Sequence, residues 1–268
     1  MIEPDLSDDS GRPGPGWRDP ADGIGILAAV LHDLRPSRGC FVIGVTGAVS
    51  SGKSTLSEAL RSRLAAWPGR PTVELVCTDG FLHPNPVLDR LGLTARKGFP
   101  ESYDVAALRR ALSEVRGGPA EFPGYSHVTY DVDPALLRRI DRPDILIIEG
   151  LSLNLDPAPT GDASRLVDTL IYLDAEETDI EHWFIDRFLT FWEGAEHDSN
   201  SFYARFRALD RDQAAQLAAT VWRQVNLPNL HDHIIKARSA ADIVVRKRAD
   251  HAIEAVIRST PGATAVTP

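Results

Sequence analysis

The sequence predicts an α/β protein built on a doubly wound, mostly parallel sheet flanked by helices. Three observations carry this. First, the short apolar run Cys40-Phe41-Val42-Ile43-Gly44-Val45 leads into a glycine loop, after which Leu56, Leu60 and Leu64 mark one face of a helix. Second, Asp144-Ile145-Leu146-Ile147-Ile148-Glu149-Gly150 is a continuous apolar run, as a strand covered on both faces requires. Third, strand and helix signals alternate along the chain, with no internal repeat.

The glycine loop reads Gly47-Ala48-Val49-Ser50-Ser51-Gly52-Lys53-Ser54 and is followed by Thr55. Strand, G-x-x-x-x-G-K-S and helix in that order form a phosphate-cradling loop. Gly47 and Gly52 let the backbone turn and approach an anion without a Cβ in the way. Backbone N–H groups and the helix start then face the phosphates. Lys53 can reach the outer phosphates and Ser54 can ligate Mg²⁺.

Composition narrows the class. A net charge of -9 argues against a nonspecific nucleic-acid binder. No apolar run is long enough to span a bilayer, and the acidic N-terminus lacks a signal-peptide pattern. Cys40 and Cys77 both fall in predicted strands and suit small packed groups better than a disulfide. The cytoplasm is the expected compartment.

In order, residues 1–20 are rich in Asp, Pro and Gly and are expected to be a disordered tail. Residues 21–258 are expected to form a single domain. Gly23-Ile24-Gly25 superficially matches a dinucleotide fingerprint, but no strand precedes it, so it reads as a helix start. Ile26, Val30 and Leu34 then suit an amphipathic helix. Trp67-Pro68-Gly69 is a break. Val73–Cys77 is a second strand, delivering Thr78-Asp79-Gly80-Phe81 at its carboxyl end, where ligands of open α/β sheets sit. Asp79 therefore suits either the crevice or a turn before Gly80.

Residues 81–103 and 120–135 read as inserts around a binding site. The first carries Lys97-Gly98-Phe99-Pro100-Glu101-Ser102-Tyr103. Between them, Asp104 suits an N-cap, and Val105, Leu108, Leu112 and Val115 line one helical face. The second insert alternates from Phe122 to Tyr130 as a strand or hairpin arm; Tyr125, His127 and Tyr130 are expected to project polar tips into a site, or His127 is simply half-buried. Glu149 ends its strand where a Mg²⁺-organising carboxylate belongs, or caps the strand end.

Thr169–Leu173 is a further strand. The helical region 176–235 opens with Ile180, Trp183, Phe184, Arg187 and Phe191 on one stripe; an Arg there, if buried, needs a partner, either a phosphate or an internal carboxylate. A helix from Ala214 to Val225 is expected to end at Asn226-Leu227-Pro228-Asn229-Leu230. His231-Asp232-His233 is weak as a metal motif, because closing ligands are not visible. Ile243–Val245 is expected as the last strand, 250–258 as a terminal helix, and 259–268 as a disordered tail.

Taken together, Gly44–Thr55, Thr78-Asp-Gly-Phe-Leu-His-Pro-Asn85, Lys97–Asp104, Tyr125-Ser-His127, Tyr130-Asp-Val132, Pro143–Gly150 and Arg187-Phe-Leu189 resemble the bacterial type I pantothenate kinase family. That family lies within the P-loop kinases that include uridine kinase and phosphoribulokinase. Asn226 and Asn229 also fit. The similarity runs from about residue 22 to residue 258.

The resemblance implies transfer of the γ-phosphate of ATP to the primary hydroxyl of pantothenate, the first step toward coenzyme A. It gives Lys53, Ser54 and Thr55 to the phosphates and Mg²⁺, Asp79 to catalysis, and Arg187 to the transferred phosphate. It places Tyr125, His127, Phe184 and Asn226 at the acceptor, Glu149 near Mg²⁺, and Lys247 and His251 beside the adenine. It also implies a homodimer and coenzyme A as a feedback inhibitor.

Three departures bear on that expectation. Phe184 stands where a substrate-contacting Tyr is usual, with Asp186 replacing an Asn beside it. Glu58 occupies a place that is commonly basic in feedback-inhibited members. The segment before the first strand is also shorter than usual, which leaves less chain to build an adenine pocket. Two other readings stay open on sequence: a P-loop kinase of another small alcohol, such as a nucleoside or sugar, and a nucleotide-binding protein without turnover. No N-K-x-D guanine motif is present.

Overall fold

The computed structural model describes residues 22–151, 153, 166–198 and 200–259. The tails expected at 1–20 and 259–268, apart from Ser259, lie outside these residues, as do residues 152, 154–165 and 199.

The central sheet has six strands in the order β2-β5-β1-β6-β7-β8, where β1 is Phe41–Gly47, β2 Val73–Cys77, β5 Ile145–Glu149, β6 Thr169–Asp174, β7 Ile243–Lys247 and β8 Ile253–Arg258. The first five pair in parallel, and only β8 runs antiparallel. β1 is central and buried at every residue, which explains its unbroken apolar sequence. Its side chains alternate between two cores. Phe41, Ile43 and Val45 pack with Leu27, Leu31, Leu56, Leu60, Leu64 and Trp67 on one face, while Val42 joins the core on the other. The first core is covered by α1 (Gly23–Leu34) and α2 (Lys53–Ala65). Each fully buried Leu there contributes about 1.5–3 kcal/mol, several times a propensity difference, so packing rather than propensity holds α2 on the sheet.

After β1 the chain crosses to β2 on one side of the sheet, while β6 and β7 lie on the other. The crevice at the carboxyl end of β1 is thus a topological switch point, where ligands of doubly wound sheets bind. A two-stranded antiparallel hairpin, β3 (Pro119–Ser126) and β4 (Asp131–Asp141), stands beside that end. The hairpin seats on the turn after β2. A Cβ on Gly80 would lie 1.8 Å from the Pro123 carbonyl oxygen, so glycine permits this approach. The intervening segment adds α3 (Asn85–Leu91) and α4 (Val105–Glu114), the latter capped by Asp104 accepting from the Ala107 N–H at 2.8 Å. α5 (Glu177–Gly194) and α6 (Arg211–Val221) complete the layer over the site.

Three expectations are corrected. The C-terminal stretch is strand β8, not helix: His251 turns the chain at φ 65°, and pairing with β7 satisfies the backbone while Ile253 and Val256 pack against the core under α1. The helix after residue 211 does not end at Asn226–Leu230. It runs on through a π-turn at Trp222–Asn226, a turn at Leu227–Asn229, a second π-turn at Leu230–Ile234 and a final segment Lys236–Ala240. Pro228 cannot donate to a regular helical ladder, and the wider turns on either side absorb that defect. In α1 the fully buried face is Leu27, Ala28 and Leu31, with Ile26 37% exposed, so the predicted stripe was rotated. Asp22 caps α1, accepting from the Ile24 N–H at 3.1 Å, which supports the helix-start reading of Gly23-x-Gly25. Among the described residues no helix is long and apolar enough to cross a membrane.

Candidate active site

The glycine loop folds as its sequence requires. Gly52 sits at φ 89°, in the left-handed region, and a Cβ there would lie 2.6 Å from Lys247 Nζ. Lys53 is buried, and its Nζ donates to the Ala48 carbonyl at 2.8 Å. Burial lowers the Lys53 pKa, and the nearby Glu149 and Asp79 carboxylates oppose that shift. Ser54 Oγ donates to Glu149 Oε1 at 2.8 Å, so the loop hydroxyl and the acid at the end of β5 meet directly. Ser50 Oγ and Ser51 Oγ are buried without a hydrogen-bond partner. Such orphaned donors around a glycine cradle fit an anion, and a Ser hydroxyl beside a carboxylate fits Mg²⁺, which takes oxygen ligands.

Two adjoining clefts meet at this loop. One is lined by Val49, Ser50, Lys53, Ser54, Asp79 and Glu149 on the sheet side. Its outer wall comes from the hairpin (Tyr125, His127, Tyr130), from α5 (Phe184, Arg187, Phe188, Phe191), and from Lys97, Tyr103, Tyr203 and Asn226. The other cleft, about 720 Å³, is lined by Gly52, Lys53, Ser54, Thr55, Trp183, Arg187, Lys247 and His251. Ser50, Lys53, Ser54 and Arg187 belong to both. Every candidate residue thus lines one of two adjoining spaces, except Gly47, Ala48 and Ser51, which line neither.

The individual environments differ. Asp79 lies on the 3₁₀ turn Thr78–Phe81, where its N–H is capped by Cys77 Sγ at 3.5 Å and its Oδ1 accepts from Tyr103 Oη at 3.3 Å. Among the described residues no backbone N–H donates to its carboxylate, so the side chain does not serve as a cap there. Tyr125 meets His127 edge-on at 5.2 Å. Phe184 packs on Trp222 at 5.9 Å. Arg187 is exposed, lies 5.4 Å over the Phe191 ring and forms no ion pair with any described carboxylate. The internal-carboxylate alternative for Arg187 therefore lacks a partner among the described residues. Lys247 Nζ donates to the Ser51 carbonyl at 2.8 Å, and His251 stacks on Trp183 at 4.2 Å. Burial, and then the charge of Lys53, lowers the Lys247 pKa. The weak His231–His233 motif assembles nothing: His231 pairs with Glu177 at 2.6 Å, His233 meets the Phe99 ring, and no group of three metal-capable side chains occurs among the described residues.

Sequence reasoning gave no role to Lys97, Tyr103, Trp183 or the aromatic group Phe188, Phe191 and Tyr203. Lys97 Nζ donates to Asn85 Oδ1 at 2.6 Å and to the Tyr130 carbonyl at 2.5 Å, and lies over the Tyr125 and Tyr130 rings. A signal for it existed. Of the 29 Lys and Arg residues only Lys53, Lys97, Lys236 and Lys247 are lysines, and three of these four line the clefts. A compact ammonium is a point charge suited to a phosphate, where the surface elsewhere uses arginine.

A parallel sheet with a phosphate cradle at its switch point, Ser54 on Glu149, and a carboxylate facing the loop lysine define a P-loop phosphotransferase. Residues 42–187 match the Phosphoribulokinase / Uridine kinase family, and the chain belongs to that family. Its relatives include the pantothenate kinase of Rhodopseudomonas palustris strain TIE-1, 44% identical over 81% of this chain and 70% of that one. The pantothenate kinase of Leifsonia xyli subsp. xyli is 46% identical over 81% and 69%. Among solved structures, D-glycerate 3-kinase from Cryptococcus neoformans var. grubii shares the fold, with a TM-score of 0.57, 13% identity, and 91% and 99% of the chains covered.

Proposed function

We propose that this chain is a pantothenate kinase, transferring the γ-phosphate of ATP to the primary hydroxyl of pantothenate as the first step of coenzyme A biosynthesis. The observation that carries the proposal is the shared cleft: Lys53, Asp79, Arg187 and Glu149 line one space that also holds Tyr125, His127, Phe184 and Asn226. Relatives named pantothenate kinase at 44% and 46% identity support pantothenate as the acceptor.

In this reading the loop from Gly47 to Thr55 binds the phosphates, while Lys247 and His251 wall the adenine side. Ser54 and Glu149 would hold Mg²⁺, which neutralises phosphate charge when bound. Asp79 orients the acceptor hydroxyl. The hydroxyl oxygen forms a bond to the γ-phosphorus as the bond to the bridging oxygen breaks; ADP keeps that electron pair, and Asp79 takes the hydroxyl proton. Lys53 and Arg187 neutralise charge spreading over the transferred group. The aromatic wall excludes water, favouring the alcohol over hydrolysis.

The test is ADP release over a panel of acceptors. Pantothenate should give the highest kcat/KM, with nucleosides, sugars and glycerate near background. Turnover with one of those and not with pantothenate would overturn the assignment, and Phe184, which lacks a hydroxyl, is the residue that makes the panel informative.

The proposal extends to a cytoplasmic homodimer weakly regulated by coenzyme A. Glu58 lies on the exposed side of α2, ion-paired with Arg61, one turn beyond Ser54. A carboxylate there repels the phosphates of a competing nucleotide. With ATP varied, coenzyme A should inhibit only weakly, and Glu58→Lys should strengthen inhibition. Potent competitive inhibition of the unaltered protein would contradict this.

A further inference from the structure

We propose that Tyr103 is a positioning residue for the phosphoryl transfer, fixing the carboxylate of Asp79 so that one oxygen is held and the other is presented to the acceptor hydroxyl. The inference rests on Asp79 as the proton acceptor. Among the described residues the phenol of Tyr103 is the one hydrogen-bond donor to that carboxylate, and it reaches Oδ1 alone. Oδ2 is left for a ligand in the cleft that both residues line.

Tyr103 is well placed to be rigid. It is 5% exposed, sits at the end of the Lys97–Tyr103 segment, and pairs through its backbone with Leu82, immediately beyond the turn that carries Asp79. The Asp104 N–H donates to the Phe81 carbonyl at 2.8 Å, so the two segments are stitched on both sides of the pair. A buried phenol needs a partner for its O–H. Here the partner is a group the reaction uses, rather than a backbone carbonyl. The 3.3 Å separation is longer than a typical O–H···O bond, as expected of a catalytic contact that tightens when substrate fills the site.

Removing the donor frees the carboxylate to rotate away from the acceptor hydroxyl. Tyr103→Phe keeps the ring and its packing while deleting only the hydroxyl.

Steady-state kinetics of Tyr103→Phe test this. We expect kcat to fall about 10-fold or more, the loss typical of a hydrogen bond to a charged group, with KM for ATP and KM for pantothenate nearly unchanged. The thermal midpoint should stay within a few degrees of the parent. An unchanged kcat would overturn the proposal. So would a fall in kcat accompanied by raised KM values or a strongly lowered midpoint, which would mark Tyr103 as merely structural. The two readings separate through Asp79→Asn: if that variant phosphorylates near the parent rate, Asp79 is not the proton acceptor, whatever Tyr103→Phe does. If it loses about 10²-fold or more in kcat and Tyr103→Phe behaves as the parent, only the positioning role fails.

Discussion

Asp79→Asn should slow phosphorylation of pantothenate by about 10²–10⁴-fold while leaving ATP binding nearly intact. The amide keeps the size of the side chain and still accepts from Tyr103 Oη, so the turn Thr78–Phe81 should survive. What disappears is the basic oxygen that receives the hydroxyl proton. General-base catalysis is worth about 10²–10⁴-fold, so kcat should fall by that much. ATP should bind as before, because the Gly52 cradle, the Lys53 ammonium and the Ser54–Glu149 pair do not depend on Asp79 for a hydrogen bond. Paired titration calorimetry and turnover measurements check this. Equal loss of ATP binding and turnover would mean that the acid supports the loop rather than the chemistry.

Arg187→Lys should be nearly as damaging despite preserving the charge. Arg187 projects from α5 at the junction of the two clefts, where a γ-phosphate passing from ATP to acceptor would lie. Its guanidinium is free of any described carboxylate and is therefore available to an incoming phosphate. A planar fork can bind two phosphate oxygens at once, and a lysine on the same helix offers only a point charge. Arginines that stabilise transferred phosphoryl groups contribute about 10³–10⁵-fold, so losing the fork should cost roughly 10²-fold or more in kcat. The KM for ATP should change far less, since Lys53 and the loop remain. Parent-like rates in Arg187→Lys would remove this residue from the mechanism.

Much of the site was legible because its chemistry is local. A glycine at a left-handed φ, a lysine one residue later and a serine after that are adjacent in sequence and lie together at the cleft. Glu149 was legible for a different reason: an acid that ends a fully buried strand has few other uses. What stayed hidden depends on contacts between distant segments. Tyr103 gained a role only because its segment folds back across Leu82. The wall from Phe188, Phe191 and Tyr203 forms where α5 meets the 3₁₀ turn Phe202–Phe206, an arrangement no single periodicity reports. β8 was misread as helix because Glu254, Ala255 and Arg258 favour helix locally, and the free edge of β7 overrode them. The continuation past Pro228 was missed because proline normally ends a helix, and π-turns leave no compositional trace.

The most direct test is ³¹P NMR of the purified protein incubated with ATP, Mg²⁺ and pantothenate. A phosphomonoester resonance on the primary hydroxyl of pantothenate, growing in step with ADP, is the predicted result. ATP that binds yet yields only inorganic phosphate, or no new resonance, would contradict a cleft in which Asp79 and Lys53 bring an alcohol to a terminal phosphate.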